Sequence, residues 1–160
     1  MSSKPSKYER LRAARLAAVQ ASFQMADRDQ GSQSVSDEFK RFRFDTGDYP
    51  VKLQESLFLA LLGIVQKRAA DIHSILNENL TEGWTVERLD SVLRIILTVA
   101  IAEMLENPLK VPAPVIISEY MEITRGFFGE EQVSYVNKAL DQIARALDLP
   151  LKKIKNHLTK

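Results

Sequence analysis

The chain has 160 residues, of which 45% are hydrophobic and 27% are charged, and it contains no cysteine. This length and apolar content exclude a disordered protein, and the lack of cysteine excludes a disulfide scaffold, a thiolate zinc site and a cysteine nucleophile. The net charge of +1 conceals a split: residues 1–20 carry five basic and one acidic residue, residues 149–160 carry four basic and none acidic, and the stretch between carries 13 basic and 20 acidic. Two basic ends around an acidic body point to a polyanionic partner.

The N-terminal segment does not resemble a secretory signal, because Arg12 and Arg15 interrupt its apolar run. Residues 95–102 form the nearest approach to an uncharged apolar stretch, and this stretch is far too short to span a bilayer. We therefore expect a cytoplasmic protein with no membrane contact.

The first predicted helix begins at Ser6, which together with Glu9 forms a capping-box pattern. Apolar residues follow at spacings of three and four, which predicts that one side of the helix is buried. These residues are Leu11, Ala14, Ala18, Ala21 and Met25. The helix is predicted to end within residues 27–31.

Residues 27–50 are polar and are interpreted as a connector, in which Phe39, Phe42 and Phe44 form either a helical turn or an anchored loop. A long helix is predicted over residues 51–79, with Gly63 as a point of close packing.

Thr85 is predicted to cap the next helix, which runs to about Leu105 and is apolar nearly all round after Arg94. We expect this helix to be the central one. Prolines in residues 107–114 predict a stiff linker, followed by helices over residues 115–127 and 130–147.

These patterns predict an all-α fold, a compact bundle of about six or seven helices in two helical subdomains. The expected organisation is a single domain over residues 1–150, with subdomains at about 1–80 and 81–150, followed by a basic tail at residues 151–160.

The chemistry of a catalytic or metal site is missing from the sequence. His73 and His157 lack the spacing of metal ligands, and the pair Glu119 and Glu122 has no matching carboxylates and histidines on other helices. No phosphate-binding glycine motif or nucleophile elbow occurs. We therefore predict a protein that is not an enzyme and that has no metal and no cofactor.

The pattern that does indicate a function lies on the first helix. Four residues there fall on neighbouring strips of one helix surface, namely Arg12, Arg15, Val19 and Phe23. Arginine pairs with phosphate and an aromatic ring offers a platform for an unstacked base, so the combination suits single-stranded RNA. The alternative is that Val19 and Phe23 belong to the core and that the two arginines only solvate the helix edge.

Three segments resemble the NusB family of bacterial transcription antitermination factors. RLRAARLAAVQASFQ, residues 10–24, resembles the family's Arg-rich opening helix, with Phe23 where the family has tyrosine. ERLDSVLRIILTVAIAEML, residues 87–105, resembles its central helix. VPAPVIISEYMEITRGFFGEEQVSYVNKALDQIA, residues 111–144, is similar to its C-terminal signature.

The resemblance implies an all-helical factor that binds the boxA element of nascent ribosomal RNA transcripts. It implies two partners besides the RNA, namely NusE, a small-subunit ribosomal protein, and the RNA polymerase antitermination complex. By position, it assigns RNA-binding roles to residues at the start of the first and last helices. These residues are Lys7, Arg10, Arg12, Arg15, Phe23, Glu131, Gln132 and Tyr135.

Two other functions stay open. The acidic body and the apolar central helix fit a helical adaptor or homodimeric scaffold with weak or no direct RNA binding. A NusB-like domain is also found fused to RNA methyltransferases, but these 160 residues contain no glycine-rich nucleotide-binding segment. We therefore expect no methyltransferase activity.

Overall fold

The computed structural model describes residues 6–41, 54–80 and 89–151, and these residues form seven α-helices and no strand. The predicted all-α fold is therefore confirmed. The helices are α1 Lys7–Arg28, α2 Ser32–Phe39, α3 Glu55–Lys67, α4 Ala69–Glu78, α5 Ser91–Glu106, α6 Ala113–Arg125 and α7 Glu130–Ala146.

The chain divides into two compact units, Met1–Ala69 and Ala70–Lys160. In the first unit α1 packs against α2 and α3, and α2 packs against α3. In the second unit α5, α6 and α7 pack against one another. Each unit therefore has a three-helix core of its own, and α4 begins at the boundary between the units.

Small side chains form the buried face of α1. Ala14, Ala17, Ala18 and Ala21 are fully buried. Their size lets the α1 backbone lie close to the helices that cover it, so the larger side chains of the core come from its neighbours. On α3 these are Leu57, Phe58, Leu61, Leu62 and Ile64.

The segment interpreted as a connector contains a helix, α2, so that interpretation is wrong for residues 32–39. Val35 and Phe39 lie one turn apart and are both buried. The ring of Phe39 stacks on that of Phe58 in α3, with 5.7 Å between ring centroids. The helical alternative for Phe39 is thus the correct one, while Phe42 and Phe44 lie outside the described residues.

The long helix predicted over residues 51–79 is divided at Arg68, whose backbone leaves helical geometry at φ −103° and ψ 21°. Residues 51–53 lie outside the described residues. The prediction for Gly63 is wrong, because a Cβ atom added there meets nothing within 4 Å. Gly63 is exposed, so its lack of a side chain is not required by packing.

The central helix is α5, as predicted from its apolar composition. Ten of its 16 residues are buried, including the whole run from Val99 to Met104. Its N-cap is Asp90, whose Oδ1 accepts hydrogen bonds from the backbone N–H of Val92 (2.9 Å) and Leu93 (3.4 Å). The described part of the helix thus begins later than predicted, and Thr85, the expected cap, lies outside the described residues.

The linker after α5 is held by Asn107, whose side chain donates to the carbonyl of Val111 (2.8 Å) and accepts from its N–H (3.1 Å). Helices α6 and α7 follow close to their predicted bounds. Residues 152–160, which include His157 and most of the predicted basic tail, lie outside the described residues. Within the described ranges no helix is long and apolar enough to cross a membrane.

Candidate nucleic-acid interface

The first two turns of α1 present three cationic side chains. Lys7 and Arg12 are exposed, and Arg10 is partly exposed. The acidic residue of these turns, Glu9, caps the start of the helix together with Ser6. Its Oε1 accepts a hydrogen bond from the Ser6 N–H (3.1 Å), and the Ser6 Oγ accepts one from the Glu9 N–H (3.1 Å). The predicted capping box is therefore confirmed, and it fixes the turn that carries the cations.

A second hydrogen bond anchors the same turn to the rest of the first unit. The carbonyl oxygen of Arg10 accepts from the backbone N–H of Gln54, the N-cap residue of α3, at 3.2 Å. The start of α1 is thus tied to a neighbouring helix as well as capped, which limits fraying of a helix end.

Phe23 lies on the same side of α1 as Arg12. At about 100° per residue, Phe23 is rotated by only about 20° from Arg12, and at 1.5 Å per residue it lies about 16 Å further along the axis. Its side chain is 39% exposed. A cation and an aromatic face therefore share one outward strip, but they are too far apart to contact the same nucleotide.

Arg15 does not share this strip. It is only 2% exposed, and Val19 is equally buried, so the expectation that Arg12, Arg15, Val19 and Phe23 form one accessible surface is wrong for these two residues. Arg15 is rotated by about 60° from Arg12, which turns it toward the wide buried arc of the helix. The long apolar stem of arginine allows such burial when the head group is satisfied.

The residues expected at the start of α7 differ in accessibility. Glu131 is exposed, whereas Gln132 and Tyr135 are partly exposed. The hydroxyl oxygen of Tyr135 is buried, so this side chain offers part of its ring to solvent and not its polar end. Gly129 is the N-cap of α7 and supplies no side-chain cap.

Acidic side chains outnumber basic ones around the start of α7. Arg125, at the end of α6, pairs with Glu130 (2.9 Å) and with Glu122. The hydrogen bond that Arg125 donates to Glu130, followed by the nearby charge of Glu122, raises the pKa of Arg125 above its ordinary value. Glu131 is a further acid of the first turn of α7.

The two groups of expected residues belong to different units. Lys7, Arg10, Arg12 and Phe23 lie together on α1 in the first unit, and Glu131, Gln132 and Tyr135 lie together on α7 in the second. Among the described residues the first unit carries nine basic and six acidic residues, and the second carries five basic and 11 acidic. Within the described ranges, positive charge is therefore concentrated in the first unit, which favours a polyanion there.

One exposed residue of α1 was not singled out from the sequence. Tyr8 is 79% exposed and lies one turn before Arg12. The spacing of four residues from Tyr8 to Arg12 is the signal for this pair in the sequence, whereas the exposure of the ring depends on what packs beside the first turn.

In the described part of the chain no group of three or more histidine, aspartate or glutamate residues is placed to hold a metal ion. His73 is exposed on α4.

A model of the NusB family matches residues 12–145. The chain belongs to the NusB family. The protein named transcription antitermination protein NusB from Maricaulis maris is 39% identical over 137 residues, which cover 84% of this chain and 85% of that protein. The protein of the same name from Caulobacter vibrioides is 38% identical over 135 residues, covering 82% and 90%.

A solved structure of NusB from T. maritima has the same fold. It superimposes with a TM-score of 0.69 at 26% sequence identity, covering 89% of this chain and 93% of that one. The chain is thus a transcription antitermination factor of the NusB family with the family's all-α architecture. Residues 7–11 of α1 precede the range that the family model matches.

Proposed function

We propose that this NusB-family factor binds boxA-type single-stranded RNA in nascent ribosomal RNA transcripts, together with NusE, within the RNA polymerase antitermination complex. The observation that carries the proposal is the outward strip of α1 formed by exposed Arg12 and Phe23, together with the cations Lys7 and Arg10 on other sides of its first two turns. We propose a docking function without catalysis.

The residues of α1 have distinct roles in the proposal. Lys7, Arg10 and Arg12 contact backbone phosphates, which contributes affinity without reading sequence. Phe23 provides a stacking face for a base some nucleotides away, as its distance of about 16 Å along the helix from Arg12 requires. Arg15 acts from within the unit as a positioning residue, because it is buried.

The start of α7 supplies base contacts in this proposal. The carboxylate of Glu131 can accept from an exocyclic amino group, and the amide of Gln132 can both donate and accept at a base edge. Tyr135 contributes the exposed part of its ring, because its hydroxyl oxygen is buried. An acidic residue cannot attract the phosphates, so its value lies in discrimination between bases.

The acidic second unit favours a protein contact there. Its 11 acidic and five basic described residues attract a basic partner, which fits a ribosomal protein such as NusE. The same surface supports the second candidate function, an adaptor or homodimeric scaffold that binds proteins and has little affinity for RNA.

A titration of boxA-type and scrambled RNA, each with and without NusE, separates the two functions. The RNA-binding proposal predicts tighter binding of the boxA-type RNA, with a further gain when NusE is present. The adaptor predicts no RNA binding even with NusE. Light scattering of the chain alone, over a range of concentrations, shows whether it forms a homodimer.

A further inference from the structure

Tyr8 is the most exposed large hydrophobic side chain among residues 6–41, 54–80 and 89–151, at 79%. Single apolar residues on a surface need no explanation in general. Tyr8 differs in its surroundings, because its neighbours on α1 include the exposed cations Lys7 and Arg12.

The backbone under Tyr8 is held in place from two sides. Tyr8 is the second residue of α1 and sits inside the Ser6–Glu9 capping box, whose two hydrogen bonds are both 3.1 Å. Two residues after Tyr8, the Arg10 carbonyl accepts a hydrogen bond from the backbone N–H of Gln54. The ring is therefore presented on an ordered turn, which lowers the entropy cost of binding a ligand there.

Tyr8 and Arg12 together offer the two groups that bind one nucleotide of a single strand, a ring for the base and a guanidinium for the phosphate. Arg12 follows Tyr8 by four residues, so the two side chains lie on the same side of α1 about 6 Å apart along the axis. An aromatic face accepts an unstacked base, and a guanidinium pairs with the phosphate that follows it. The exposed cations Lys7 and Arg12 near the ring favour this polyanion over an apolar protein segment.

We propose that Tyr8 is a base-stacking residue of the RNA interface, on which one base lies while Arg12 holds the adjacent phosphate. The inference rests on the proposed RNA-binding function and adds an aromatic residue to a turn that precedes the range matched by the family model. Phe23, about 22 Å further along α1, offers a second stacking face.

The test measures affinity for a boxA-type RNA by fluorescence anisotropy with Tyr8→Leu, Tyr8→Phe and, as a control, Phe127→Leu. Leucine keeps the apolar bulk and helix propensity but removes the ring, so Tyr8→Leu is expected to weaken binding about 5- to 30-fold. Tyr8→Phe keeps the ring and is expected to stay within about twofold of the unmodified protein. Phe127 is 46% exposed on the second unit, and its replacement should leave affinity unchanged.

Two further readouts identify stacking as the cause. The slope of log affinity against log salt should be the same for Tyr8→Leu and the unmodified protein, because no phosphate contact is removed. The second readout uses RNAs in which a single nucleotide lacks its base. At one position, the missing base should lower the RNA affinity of the unmodified protein but should not lower that of Tyr8→Leu any further. This result is expected when the two changes remove the same interaction.

The outcomes separate the inference from the function on which it rests. If Tyr8→Leu binds like the unmodified protein while Arg12→Ala loses affinity, the role of Tyr8 is wrong and the RNA-binding function stands. A loss of salt slope or of helical circular dichroism in Tyr8→Leu would also contradict stacking. If the unmodified chain binds no RNA with or without NusE, both proposals fail.

Discussion

The buried hydrogen bond between Tyr120 and Glu103 allows us to predict how much stability the protein loses when one hydroxyl group is removed. The Tyr120 hydroxyl on α6 donates to Glu103 Oε1 on α5 at 2.8 Å, and both residues are fully buried. Burying a carboxyl group is costly unless donors replace its lost water. Tyr120→Phe removes one such donor and leaves the ring in place.

The expected cost follows from this environment. A hydrogen bond to a carboxylate contributes about 1.5–3 kcal/mol, and removal of one partner inside a core incurs the desolvation cost of the other. For a central value of about 2 kcal/mol, a chain of this size should lose about 4–8 °C in Tm. Tyr8→Phe deletes the same hydroxyl at a position that is 79% exposed, so its effect should stay within about 0.5 kcal/mol.

Thermal unfolding followed by circular dichroism and by calorimetry measures both variants. The Tm of Tyr120→Phe should fall clearly below that of Tyr8→Phe. A Tm for Tyr120→Phe within about 1 °C of the unmodified protein would refute it, since the buried carboxyl group would then not depend on this donor.

Three further predictions test other parts of the structure. Ser6→Ala removes the cap of α1 and should cost about 1 kcal/mol, with faster amide exchange in the first turn; unchanged exchange would contradict the role of the cap. Gly63→Ala should stabilise by about 0.5–1 kcal/mol in denaturant unfolding, because a Cβ meets nothing there, whereas Gly126→Ala, with a backbone oxygen at 3.3 Å, should give no such gain. Equal effects of the two glycine variants would refute this account. Arg15→Ala should lower Tm by more than Arg12→Ala, because only Arg15 is buried; the opposite order would place Arg15 on the surface.

The long apolar patterns were sufficient to predict most helices. The capping box at Ser6 and the apolar composition of α5 both correspond to features of the structure. These signals work because capping and side-chain periodicity act within one or two turns of the helix that they specify.

The short helix α2 was missed because its signal is weak. Only Val35 and Phe39 provide apolar periodicity in eight residues, and neither a side-chain cap nor a proline marks the start. Its stability comes from packing against α1 and α3, including the Phe39–Phe58 stack. The division at Arg68 is similar, since no glycine or proline in the sequence marks it.

The sequence predicted which residues of α1 lie near one another around the helix but not which of them are accessible. Helical spacing places Arg12 and Arg15 within about 60° of each other, and the boundary between the buried arc and the surface falls between them. Periodicity gives the direction of a side chain but not the width of the neighbouring helices that cover it. The exposure of Tyr8 likewise depends on what packs beside the first turn.

The most direct test of the central claim is the salt dependence of binding to boxA-type RNA for the unmodified protein, Arg12→Ala and Arg145→Ala. Arg145 is an exposed arginine on α7, paired with Asp141 at 3.0 Å, and serves as the matched control. If α1 holds the RNA backbone, Arg12→Ala should reduce the log–log slope by about 0.7, as expected for one lost phosphate contact, and Arg145→Ala should leave it unchanged. Equal slopes for all three proteins would contradict the claim that α1 is the RNA-binding surface.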